Sequence, residues 1–152
     1  MVYDDAAARL VRGWKEEGRR GIAEVAARLI AEIVPRPAGL ALVSVPADAE
    51  RRLVRGHAPP RQLAAALGER WNLPVVDALD RAGSGQRQRG LSRDERRRNV
   101  RDVYVARAAV SGPVVVVDDV FTTGETTGAC ARVLRRAGAS RVEVVTFARR
   151  LR

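Results

Sequence analysis

Pro113-Val-Val-Val-Val-Asp-Asp-Val-Phe-Thr-Thr-Gly-Glu-Thr-Thr127 decides the reading of this chain. Four consecutive valines after a proline form a short β-branched run. That is the pattern of a strand buried on both faces, as in a parallel sheet. Asp118 and Asp119 follow at once, and then a small hydroxyl-rich turn over 122–127. Beyond it, Ala129, Cys130, Val133, Leu134 and Ala137 recur at helical spacing. The unit is strand, acidic pair, phosphate-sized loop, helix.

Each part has a chemical use. Ligands of open α/β sheets sit beyond the carboxyl ends of the strands, where this loop falls. A helix start presents unpaired N–H groups and a partial positive charge, which suits a phosphate. Gly124 allows close approach of the backbone, and Thr122, Thr123, Thr126 and Thr127 offer hydroxyl donors. Two adjacent carboxylates can accept hydrogen bonds from a diol such as that of a ribose. A ligand-free alternative exists, because Thr122-x-x-Glu125 also has the form of a capping box. A cap accounts for one threonine and one glutamate, not for a run of hydroxyls behind an acidic pair. The loop is not a Walker motif, since no Gly-Lys-Ser/Thr ends it, and no G-x-G-x-x-G fingerprint occurs.

Length and composition bound the rest. A chain of 152 residues suffices for one domain with a real core, and 46% hydrophobic residues argue against disorder. The formal net charge is +10. Of 28 basic residues Lys15 alone is lysine, and the others are arginine. A GC-rich coding bias accounts for most of that preference, and affinity for phosphate is consistent with it. Cys130 is the single cysteine, which excludes an internal disulfide and a multi-cysteine zinc site; core packing is its expected role. No apolar run approaches a membrane span and no signal-peptide pattern opens the chain, so a cytoplasmic protein without membrane contact is expected.

In chain order, 4–17 reads as a helix capped by Asp4 or Asp5, with Leu10, Val11 and Trp14 on one side. A second helix covers 21–34, with Ile22, Val25, Ala26, Leu29, Ile30 and Ile33 as its apolar face. Residues 40–45 read as a strand, Leu63 to Leu67 as the start of a helix that Gly68 interrupts, 74–77 as a short strand, and 142–147 as a last strand. The alternation predicts a single domain over 1–152, with a helical part at 1–37 and a core at 38–152. Its class is α/β, with a central, mostly parallel sheet flanked by helices. The stretch 81–101 holds eight arginines against Asp94 and Glu95, which fits a solvated loop with a charged helix face or a basic flap over a polyanion.

The signature stretch resembles that of type I phosphoribosyltransferases, which bind phosphoribosyl pyrophosphate (PRPP). Scattered residues narrow the resemblance to the ComF (competence protein F) family. These are Tyr3 with Lys15-Glu-Glu-Gly18, Val45-Pro46, Arg55-Gly56, Leu63-Ala64, Gln88, Leu91, Arg96, Asn99, Tyr104 and Ala148-Arg149. Two departures stand out. The Cys-rich zinc module that opens many family members is not in this sequence, so no zinc is expected. His57-Ala58-Pro59 stands where the family has Phe-Asn-Gln, and His57 is read as a packing residue.

The resemblance implies a type I phosphoribosyltransferase-like fold. It places PRPP on Asp118, Asp119, Thr122, Thr123, Gly124, Glu125 and Thr126, with Arg51, Arg55 and Arg96 on the pyrophosphate. Mg²⁺ would arrive with PRPP rather than on a protein site. Purine-salvage relatives often carry an acidic residue where Thr122 stands, which argues against hypoxanthine or guanine as acceptor. No catalytic base is identified. The implied activity is transfer of phosphoribosyl to an unknown nitrogen acceptor. The alternative is a non-catalytic competence or DNA-uptake accessory that binds PRPP as a signal, or single-stranded DNA through its basic segment. Oligomeric state stays open, a homo-oligomer included.

Overall fold

The computed structural model describes residues 1–19, 21–47, 56–82 and 103–150. Its frame is a parallel sheet of three strands in the order β1 (Ala41–Ser44), β4 (Gly112–Phe121), β5 (Ala139–Arg149). Single parallel bridges extend it at both edges, Val75 beside Leu42 of β1 and Val2 beside Arg149 of β5. Helices α1 (Asp5–Lys15), α2 (Gly21–Ile33) and α3 (Pro59–Trp71) share one core with one face of β4; α4 (Glu125–Arg136) lies against the other. An antiparallel pair, β2 (Leu79–Arg81) with β3 (Tyr104–Ala106), packs beside α4.

The valine run explains this arrangement. Successive strand residues point to opposite faces. Val115 and Val117 join the core that holds Trp14, Ala26, Leu63 and Leu67. Val114 and Val116 join Tyr104, Cys130, Val133 and Leu134. All four valines are within 2% of full burial, so both faces of β4 are covered, as a β-branched run predicts. The α/β class read from the sequence, a central parallel sheet flanked by helices, is therefore the class observed.

Several local expectations change. β4 does not stop before the acidic pair; it runs through Asp118 and Asp119 to Phe121, paired with β5 throughout. The pair is part of the sheet and not of a turn. Gly68 does not interrupt α3 but lies buried within it. A Cβ there would stand 2.9 Å from the Leu73 carbonyl oxygen and 3.0 Å from Val75, so glycine permits the helix to meet the sheet edge. The helix also starts earlier than Leu63, at Pro59-Pro60, where missing N–H groups cost nothing.

The buried faces of the first two helices differ from the large-apolar pattern. In α1, Ala7, Val11 and Trp14 are buried and Leu10 is exposed. In α2, Ala23, Ala26, Ala27 and Ile30 are buried while Val25 and Ile33 face outward. Alanines allow α2 to come close to α3, and Ala64 and Ala66 of α3 are buried in the same core. Asp4 caps α1 as read, accepting from the Ala7 N–H at 2.8 Å.

Candidate functional site

The carboxyl end of β4 opens into a cleft of about 630 Å³. Asp118, Asp119, Thr122 and Thr126 line it from β4 and the turn. Arg12 and Lys15 reach it from α1, and Arg81, Tyr104 and Arg150 come from the hairpin and the end of β5. The cleft is thus acidic at its base and basic around its rim.

The two carboxylates are adjacent in sequence but differ in surroundings. Asp119 lies on the α1 side of β4, is buried, and is paired with the Lys15 Nζ at 2.8 Å. Asp118 points toward α4 and accepts from the Asp119 N–H at 2.9 Å. Burial, and then the charge of Asp119, push its carboxyl up to about 6, against weaker downward pulls from that N–H and from Lys15. Tyr104 hydrogen-bonds Thr126 through its side chain, and its hydroxyl is pushed up, first by burial and then by Cys130. The Arg81 guanidinium lies 6.0 Å from the Tyr104 ring centre. Cys130 is fully buried behind Asp118; burial, and then that carboxylate, push its thiol up to about 12. This agrees with its reading as a packing residue.

The turn has a geometry of its own. Gly124 takes the N-cap of α4 in the left-handed region at φ 81°, and no side chain caps the helix. The capping box therefore does not form. Thr123 Oγ1 instead accepts a long 3.4 Å bond from the Glu125 N–H. A Cβ on residue 124 would lie 2.7 Å from the Phe121 ring, a second reason for glycine. Thr127, counted among the hydroxyl donors, is buried and donates to the Gly124 carbonyl at 3.2 Å, so its hydroxyl supports the turn. Of the sequence-predicted residues, Asp118, Asp119, Thr122 and Thr126 share the cleft wall. Thr123 and Glu125 are exposed around the start of α4, and their side chains do not line it. Arg51, Arg55 and Arg96 lie outside the described residues, as does the stretch 83–101 of the basic flap.

Residue-level reading missed the cationic partner of the acidic pair. Lys15 entered only as part of a family pattern, although its being the single lysine was a visible signal. Tyr104, likewise a pattern residue, proves to adjoin the turn through Thr126. His57 Nε2 is 2.7 Å from the Trp14 carbonyl oxygen and so fastens the approach to α3 onto α1, a packing role as read. Among the described residues no group of three or more His, Cys, Asp or Glu side chains could hold a metal ion, and no helix is long and apolar enough to cross a membrane.

Solved structures place the fold in a class. The glutamine PRPP amidotransferase from B. subtilis, complexed with ADP and GMP, is 23% identical at a TM-score of 0.61 and covers 84% of this chain. The chain corresponds to 26% of that enzyme's length. The orotate phosphoribosyltransferase from Aeropyrum pernix aligns at a TM-score of 0.52 and 20% identity, over 88% of this chain and 74% of that one. The fold is that of the type I phosphoribosyltransferases. No protein-family profile matches the chain. Curated relatives do. The DNA utilization protein YhgH of Salmonella typhi is 34% identical over 161 residues, spanning 98% of this chain and 70% of that protein. Competence protein F of Haemophilus influenzae is 31% identical over 114 residues, 72% of this chain and 50% of that protein. This chain belongs to the ComF family of competence and DNA-utilization proteins.

Proposed function

We propose that the chain binds PRPP in the cleft at the end of β4 and is built as a phosphoribosyltransferase. The observation that supports this most is the junction of β4 and α4. A buried acidic pair ends in a short turn into a helix whose N-cap, Gly124, has no side chain to cap it. Asp118 and Asp119 accept hydrogen bonds from the 2- and 3-hydroxyls of the ribose. The first-turn N–H groups of α4, with the hydroxyls of Thr122 and Thr126, take the 5′-phosphate; Thr123, Gly124 and Glu125 contribute backbone rather than side chain. Magnesium would enter as part of the substrate rather than on a protein site, and would supply positive charge to the leaving pyrophosphate.

In the transfer, an acceptor nitrogen forms a bond to C1 of the ribose. The C1–O bond breaks and the electron pair leaves with pyrophosphate. Arginines neutralise that leaving group, Arg51, Arg55 and Arg96 among them. Thr122 cannot act as a base, so hypoxanthine and guanine are poor acceptors; robust pyrophosphate release with either would overturn that assignment. A second reading is favoured by the names of the relatives, which speak of DNA utilization and competence. In it the chain binds PRPP as a signal, or meets single-stranded DNA, without transfer.

Thermal denaturation with Mg-PRPP tests the shared core of both readings. Free ligand near 100 times Kd stabilises by about 2.7 kcal/mol. That raises Tm by roughly 5–11 °C for a domain of this size. A shift within error at millimolar Mg-PRPP would sink the proposal.

A further inference from the structure

We infer that Lys15 is a bridging ligand residue, one ammonium spanning the buried Asp119 carboxylate and the pyrophosphate of a bound PRPP. The inference rests on the PRPP reading above and names a residue that this reading leaves unassigned. Three observations carry it.

The first is geometric. Lys15 ends α1 with its Nζ 2.8 Å from Asp119 Oδ1, and among the described residues this is its single bond. Its side chain is 30% exposed against 7% for Asp119, and Lys15 lines the cleft. An ammonium has three tetrahedral donors, so one bond to a carboxylate leaves two directed elsewhere.

The second is chemical. Every other basic position of the chain is arginine. A planar guanidinium fork matches a single carboxylate bidentately, and a buried carboxylate at salt-bridge distance would engage both arms. A compact ammonium can divide its donors between two acceptors on different sides. If Asp119 needed only a counter-charge, arginine would serve, and the bias of this chain would favour it. The one departure from that bias falls on the buried carboxylate of the cleft.

The third is directional. Asp119 faces the α1 side of β4, while the turn that takes the 5′-phosphate begins α4 on the opposite face. Lys15 therefore approaches the ribose from the side away from the 5′-phosphate. With the diol on the acidic pair, the anionic group left for it is the pyrophosphate on C1.

The test separates bridging from simple support of Asp119. Mg-PRPP and ribose 5-phosphate, which lacks the pyrophosphate, are titrated calorimetrically into the full chain and into Lys15→Arg and Lys15→Gln. Arginine keeps the charge, and glutamine keeps a donor without the charge, so two routes remain if one variant folds poorly. Loss of one charge-assisted bond to pyrophosphate predicts that Mg-PRPP binding weakens about tenfold to hundredfold more than ribose 5-phosphate binding in both variants. Equal losses for both ligands would overturn the inference, because Lys15 would then only orient Asp119. Parent-like Mg-PRPP binding by Lys15→Arg would overturn it too, and would leave the PRPP reading standing. If the parent chain binds neither ligand, both the reading and the inference fall.

Discussion

Burial of the Asp118 carboxyl costs the fold stability at neutral pH. Its carboxyl rises from 3.8 to about 6 because burial and Asp119 both oppose its charge. Between those values the folded state binds more protons than the unfolded one, so stability falls as pH rises through this window and levels off above about 6. The linked cost at neutral pH is on the order of 3 kcal/mol. Asp118→Asn should therefore be more stable than the parent at pH 8, by up to that amount, with the difference shrinking toward pH 4. Denaturation midpoints across pH 4–8 measure it, and a variant less stable than the parent at pH 8 refutes the account. Ligand affinity should run the other way. An ionised acceptor bonds hydroxyls about twice as strongly as a neutral one, so Mg-PRPP binding should strengthen as pH rises through about 6. Cys130, pushed up to about 12 and fully buried, should resist alkylation in the native protein at pH 7.5 and react once the chain is denatured. Fast native labelling would show that this helix face opens.

Among the elements, β4 and α3 illustrate how neighbours decide outcomes. β4 continues through Asp118 and Asp119 because β5 pairs along its length; Val120 and Phe121 still align with Ala148 and Arg149. The acidic pair thus inherits the fixed spacing of a central strand, which the proposed diol contacts require. α3 tolerates Gly68 because its backbone there accepts from the Leu73 N–H at 2.9 Å and the sheet edge lies against it. In an exposed helix, Gly→Ala gains about 1 kcal/mol. Here the added methyl meets a backbone oxygen at 2.9 Å, so Gly68→Ala should instead destabilise by about 1–3 kcal/mol. Urea denaturation reads the sign directly, and a more stable variant would mean that α3 can slide away from the sheet.

Across the molecule, a charge of +10 surrounds a cleft whose base is acidic. For the two proposed ligands these features make separable predictions. Asp118→Asn with Asp119→Asn should weaken Mg-PRPP binding and leave non-specific DNA binding unchanged or tighter, since the latter depends on arginine–phosphate contacts. Neutralising Arg96, Arg97 and Arg98 should weaken DNA binding if these residues meet DNA, flattening the salt dependence on single strands by roughly 0.7 per lost contact; if they cover pyrophosphate, Mg-PRPP binding falls and DNA binding changes little. Filter binding across a salt series distinguishes the outcomes. Loss of both ligands in both folded variants would mean that PRPP and DNA share one site.

What could be read along the chain was what depends on neighbours in sequence. The valine run gave a doubly buried strand, because β-branched residues without alternation have no solvent face. Asp118-Asp119 and the Thr-Gly turn marked where a cleft opens, because strand, turn and helix follow one another within 15 residues of chain. Contacts between distant segments were not legible. The periodicity of α2 marked an apolar stripe, but close approach to α3 selected its alanines and left Val25 and Ile33 outside. Gly68 looked like an interruption until Leu73 and Val75 stood against it. The pairing of Lys15 with Asp119 joins positions 104 residues apart. No local rule gives that pair. It exists because α1 and the odd-numbered valines of β4 are driven into one core, which carries the end of the helix to the end of the strand.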